Sequence, residues 1–149
     1  MVTLAMLKQI SQINSDIFFC EQQLKNVEQQ IRDVDEWSMQ VTQVLDDMPS
    51  GNVKENQLEA LVARKQEKQQ VLLEVKIDCI TRISESQGSL QTIRQEVERI
   101  EDPIIQQILL LKHFDGLSWG EIGDKLGYVE RYVQRKVYNY FKQLRPSLG

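Results

Sequence analysis

Apolar residues recur every three or four positions through the first third of the chain, at Ile10, Ile13, Ile17, Cys20, Leu24, Val27, Ile31 and Val34, then at Val41, Leu45 and Met48. The positions between them are mostly polar, so the spacing predicts a helix from Leu4 to Met48 with one apolar seam of coiled-coil type. Ser38 interrupts that seam beside Trp37. The helix should end at Met48-Pro49-Ser50-Gly51-Asn52, because Pro disfavours helical backbone in the residue before it and Gly and Asn supply turn conformations. This makes a hairpin tip at about residues 47–54. A second helix follows from about Lys54 to Glu101, with Leu58, Val62, Leu72, Val75, Cys79, Ile83, Leu90, Ile93, Val97 and Ile100 on one side. Folded antiparallel, Leu45 meets Leu58, Ile31 meets Leu72, Leu24 meets Cys79, Cys20 meets Ile83 and Ile10 meets Ile93, all in one register. The polar stretch Arg64 to Gln70 falls opposite Ser38 and Trp37, where the seam is weakest and the indole is placed to cover Lys stems. Gly88-Ser89 either kinks the second helix or sits in it as a costly residue.

Two helices bury only one narrow stripe, which is seldom enough for a stable fold. Phe18 and Phe19 on the first helix and Leu73, Ile77 and Ile80 on the second lie off the seam at similar height. They are the expected oligomer interface, with a homodimer as the expected assembly. A broad seam within one hairpin, or packing against the C-terminal residues, is the alternative.

After Pro103 the pattern changes to three short helices, IIQQILLLKHF, WGEIGDKL and VERYVQRKVYNYFKQL, separated by DGLS and GY. Asp115-Gly116 is a turn pair, since Gly takes positive φ at no steric cost. Ser118 with Glu121 three residues on reads as a capping box, and Leu117 with Ile122 has the spacing of a hydrophobic staple. Leu126-Gly127 ends the middle helix, Gly suiting the left-handed position after a helix. In the last helix Val133, Val137, Phe141 and Leu144 should face Ile122, Leu126 and the helix that starts at Ile104. Arg131, Gln134, Arg135 and Tyr138 then point away. That layout predicts a helix-turn-helix whose outer face fits a major groove, where Arg reads guanine and Gln reads adenine. The expected base contacts are Arg131, Gln134, Arg135, Tyr132 and Tyr138; the expected phosphate contacts are Ser118, Lys125, Lys136 and Lys142. Such surfaces also serve solubility or protein contacts.

The run HFDGLSWGEIGDKLGYVERYVQRKVYNYFKQL resembles region four of bacterial sigma factors, the module that reads the minus-35 promoter element. A likeness over most of the chain is to small phage and prophage transcription regulators of Gram-positive bacteria, the ArpU and RinA-like group. These carry a long helical leader ending in Glu-Asp-Pro, here Glu101-Asp102-Pro103. The resemblance implies control of late phage genes, with double-stranded DNA as partner and RNA polymerase as a further one. Val129 stands where the pattern has a Ser or Thr cap, so a cap worth roughly 1 kcal/mol is absent. Gly120 and Gly123 each cost about 1 kcal/mol against Ala in a helix. Gly123 occupies the small-residue position where the two helices approach.

The fold class expected is therefore all-α, a long antiparallel two-helix coiled-coil hairpin over residues 1–102 followed by a sigma-region-four-like helix-turn-helix over 103–149. Composition agrees, with only 7 Gly and 3 Pro in 149 residues. No apolar run approaches the roughly 20 residues of a membrane span, and the expected location is the cytoplasm. The net charge of −4 is unevenly placed. Lys112 to Arg145 holds 7 basic and 4 acidic residues, a local +3 that leaves −7 for the rest. Phosphate binding depends on local charge, so a basic end can bind DNA beside an acidic leader.

Catalytic signals are thin. His113, Cys20 and Cys79 are too scattered for a tetrahedral metal site, and no motif assembles a nucleophile or a phosphate-cradling loop. The two Cys read as reduced core residues. No enzyme activity, cofactor or metal is expected. Two other functions fit the same elements: a DNA-packaging adaptor resembling a small terminase subunit, and a protein adaptor, for instance on RNA polymerase, that does not bind DNA.

Overall fold

The computed structural model describes residues 1–49 and 51–144, without the side chains of Asn52 and Val53. Part of the hairpin tip, and Arg145 of the basic end, lie outside the described residues. Two long helices, α1 (Leu4–Asp46) and α2 (Asn52–Glu98), precede three short ones: α3 (Pro103–Leu109), α4 (Trp119–Leu126) and α5 (Glu130–Leu144). There is no strand among the described residues, and no helix there is long and apolar enough to cross a membrane. The chain divides into a middle unit, Ile17–Glu85, and an end unit, Met1–Asp16 with Ser86–Gly149.

In the middle unit α1 and α2 pack against each other along the expected seam. Cys20, Val27 and Leu45 are buried on α1, with Leu61 and Cys79 on α2. Contacts across the seam hold the antiparallel register: Gln23 approaches Cys79 at 3.8 Å, Gln69 donates to Asp35 at 3.1 Å, and the Lys68 ammonium lies 4.7 Å from the Trp37 ring centroid. Ser38 does not break the helix. It is buried, fills the seam position between Val34 and Val41, and its carbonyl accepts from the Thr42 hydroxyl at 2.8 Å.

Two seam residues expected on α2 are corrected. Val62 is 52% and Val75 39% exposed, whereas Leu61 is buried and Lys76 half-buried. Steps of three and of four both fit a seam from Leu58 onward and again between Leu72 and Cys79. Hydrophobicity alone picks the valines, but the phase of the continuous helix turns Leu61 and the apolar stem of Lys76 inward. α2 also runs through Gly88 as one uninterrupted helix.

In the end unit the core does not stop at Pro103. Val2, Leu7 and Ile10 join Ile93, Val97 and Ile100, and these continue into Ile105, Ile108, Leu109, Ile122, Val133, Val137 and Phe141 as one cluster. Short helices such as α3 to α5 have too little surface of their own to offset the entropy of ordering them, so shared burial supplies the stability. α3 begins at a strong start signal. Asp102 caps it, accepting from the amides of Ile104 at 2.9 Å and Ile105 at 3.4 Å, and Pro103 fills the first helical position, where its missing N–H costs nothing. After Leu109 the helix loosens into a π-helical turn, Leu110–Phe114, and closes where the Asp115 amide donates to Leu110 O at 3.1 Å.

Candidate nucleic-acid interface

The face that could meet DNA is built by the two turns around α4. Gly116 takes φ 71° and lets the chain reverse after the π-helical turn. At Ser118 the capping box forms as expected: Oγ accepts from the Glu121 amide at 3.2 Å, and the Ser118 amide donates to Glu121 Oε1 at 3.4 Å. Leu117 and fully buried Ile122 pack into the same core, as a staple requires. α4 ends at Gly127 with φ 81°, and the amides of Gly127 and Tyr128 both donate to Gly123 O at 2.8 Å. A Cβ on Gly123 would run into the backbone carbonyl oxygen of Tyr128, so this glycine is what lets the turn fold so tightly onto α4. At Gly120 the nearest atom to such a Cβ is Glu130 Oε2 at 3.7 Å, ordinary contact, and the structure gives no need for a glycine there.

α5 is anchored by Val133, Val137 and Phe141, all buried. Its opposite side carries Arg131, Arg135, Tyr138 and Lys142, spaced by four, three and four, so they form one exposed row without a carboxylate. Tyr138 stands out at 66% exposed. Gln134 lies beside the row and donates to Glu130 at 3.4 Å. Lys125 is exposed in the last turn of α4, where a cation also suits the helix dipole.

Three of the expected contacts have other tasks. Lys136 does not join the row: its side chain is only 26% exposed, and Nζ lies 3.4 Å from Asp102 Oδ2 and 6.0 Å from the Tyr132 ring centroid. Tyr132 packs on Tyr128 with ring centroids 4.8 Å apart. Ser118 gives its hydroxyl to the capping box. Tyr128, Tyr132, Lys136 and Asp102 thus form a chain of contacts bracing α5 against the start of α3. Desolvation pushes the Asp102 carboxyl up, but the amides of Ile105 and Ile104 and the Lys136 ammonium outweigh it and hold it below its ordinary value. Lys136 is correspondingly raised: Asp102, and then Tyr132, outweigh the effect of its desolvation. In the sequence Asp102 stands in the Glu101-Asp102-Pro103 junction. An Asp directly before Pro is a helix-start signal that identifies the cap, though not its Lys partner.

Around the π-helical turn, Lys112 lies 4.7 Å from the Trp119 ring centroid and Arg94 5.5 Å from that of Phe114. His113 is half-buried; burial, and then the charge of Lys112, push its pKa down, which favours the neutral imidazole. Cys20 and Cys79 are free buried thiols in the middle unit, and burial first pushes the Cys79 thiol up, away from the reactive thiolate. Among the described residues no three or more His, Cys, Asp or Glu side chains gather as a metal site. The expected oligomer residues Phe18, Phe19, Leu73, Ile77 and Ile80 are all exposed. Comparison of the chain with protein-family models, curated proteins and solved structures found no match.

Proposed function

We propose that the end unit carries a sigma-region-four-like helix-turn-helix and that the protein is a sequence-specific DNA-binding regulator of phage type. On this reading α5 enters the major groove with Arg131, Arg135 and Gln134 toward base edges, Tyr138 beside them, and Lys142 and Lys125 on phosphates. The observation that carries the reading is the outer row of α5, three cations and a tyrosine with no carboxylate among them, on a helix whose other side is locked into the core. A surface kept only for solubility mixes both signs, as the long helices do elsewhere in this chain. The tight Gly127 turn favours the same reading, since it fixes α5 against α4 as groove insertion requires.

The test is retention of fragmented genomic DNA, including prophage regions, on the immobilised protein at physiological salt, where non-specific contacts are weakened. Wild type should enrich one or a few intergenic fragments, and the double variant R131A/R135A should lose them, each bidentate Arg contact being worth about 1–3 kcal/mol. Equal enrichment by both proteins, or none by either, would reject α5 as a recognition helix.

A further inference from the structure

One face of the middle unit carries charges that make no ion pair within the chain beside exposed apolar side chains. Asp35 of α1 reaches Gln69 at 3.1 Å and Lys65 at 3.9 Å, while Trp37 reaches Lys68 on the other side of the pair. Residues three and four apart share a helix face. The Asp35 side of α1 therefore carries Arg32, Glu28, Lys25, Glu21 and Phe18 in one direction and Met39 in the other. On α2 the Gln69 side continues through Leu73, Ile77 and Ile80. Phe19 is turned about 100° from Phe18 and falls on the Trp37 side, so the two phenylalanines do not share a surface. The apolar members of the Asp35 face are well exposed, Phe18 at 63%, Met39 at 65% and Ile77 at 55%. Among the described residues Glu21, Lys25, Glu28 and Arg32 make no ion pair within the chain, and Arg32 donates to the Gln29 amide oxygen at 2.7 Å.

We infer that this face binds a second copy of the chain, antiparallel, about a two-fold axis that crosses the helices. In such an interface residue i of one copy meets residue j of the other, and j meets i. The charges of α1 alternate so that one alignment satisfies all four: Glu21 meets the partner's Arg32, and Lys25 meets the partner's Glu28. The register across the seam, set by Gln23 with Cys79 and Asp35 with Gln69, then places α2 with no further choice. It sets Leu73 against the partner's Ile80 and Ile77 beside its own counterpart, near the axis. Apolar side chains thus bury one another along α2 while opposite charges pair along α1 between Glu21 and Arg32, and the same alignment sets Phe18 against the partner's Asp35. A two-fold axis running along the helices instead would lay the charged row of α1 on the apolar row of α2 and leave the four charges unmatched. All these residues lie within Ile17–Glu85, so the pairing is independent of the DNA-binding reading.

Sedimentation equilibrium of the full chain at micromolar concentration should give a dimer. I77K should give a monomer with an unchanged helical circular dichroism spectrum. K25E turns both symmetry-related Lys25–Glu28 pairs into like-charge pairs, and E28K does so with the opposite sign; each alone should raise the dimer dissociation constant about tenfold. Mixed in equal amounts, the two single variants should form a heterodimer of near wild-type affinity, because the carboxylates of one meet the ammonium groups of the other. A wild type that stays monomeric, or an I77K variant that stays dimeric, overturns the use of this face. Single reversals that leave the dimer unchanged, or that fail to recover on mixing, overturn the antiparallel pairing.

Discussion

Gly120 and Gly123 stand three residues apart in α4 and call for opposite outcomes on substitution. A methyl at Gly123 collides with the Tyr128 carbonyl, which is backbone and cannot swing aside, so G123A should destabilise by about 1–3 kcal/mol. At Gly120 the methyl meets nothing closer than 3.7 Å, and the change relieves a helix of its most flexible residue; G120A should stabilise by up to about 1 kcal/mol. Urea unfolding of the two variants beside wild type checks both signs. Local signals of this kind were legible in the sequence: the capping box at Ser118 and Glu121 and the left-handed Gly127 depend only on neighbours a few positions away. The tasks of Lys136 and Tyr132 were not. Both sit on α5 beside the outer row, and only the arrival of Asp102 from a distant part of the chain decides that Lys136 turns inward.

The elements follow the same division. Two long helices, their antiparallel register and the three short helices were all readable from periodicity and punctuation, because a seam and a cap are properties of one segment. Which side of α2 faces inward between Leu58 and Cys79 was not, since steps of three and of four fit equally and the phase is set by the whole helix against its partner. The contact between Asp102 and Lys136 makes the hold of α5 on α3 depend on pH. Asp102 has a folded value below the unfolded value of about 3.9, so its contribution is present above that pH and is lost as the pH falls through the folded value. D102N keeps a side chain able to cap α3 but removes the charge. The stability gap between wild type and D102N should be largest near neutral pH and close on acidification. A gap independent of pH would mean that the carboxylate charge does not brace α5.

The boundary that the sequence places before Pro103 is a change of pattern with no break in packing. Ile105, Ile108, Leu109, Ile122, Val133, Val137 and Phe141 share one core with Val2, Leu7, Ile10, Ile93, Val97 and Ile100. Residues 103–149 made as a separate fragment should therefore be largely unfolded, with weak helical circular dichroism and collapsed amide dispersion in NMR spectra, and should recover neither on adding salt nor on lowering temperature. A well-dispersed spectrum from that fragment would show that the three short helices need no platform.

The same shared core imposes an order on the protein's birth. Val2, Leu7 and Ile10 leave the ribosome long before Ile93, Val97 and Ile100 are synthesised, and wait as exposed apolar side chains until those partners emerge. Their burial waits on the last turns of α2, about ninety residues further along the sequence. A product terminated before Ile93 would keep its greasy N-terminal segment uncovered, a mark by which chaperones and proteases can recognise it. Incomplete copies would then be cleared before they competed for partners.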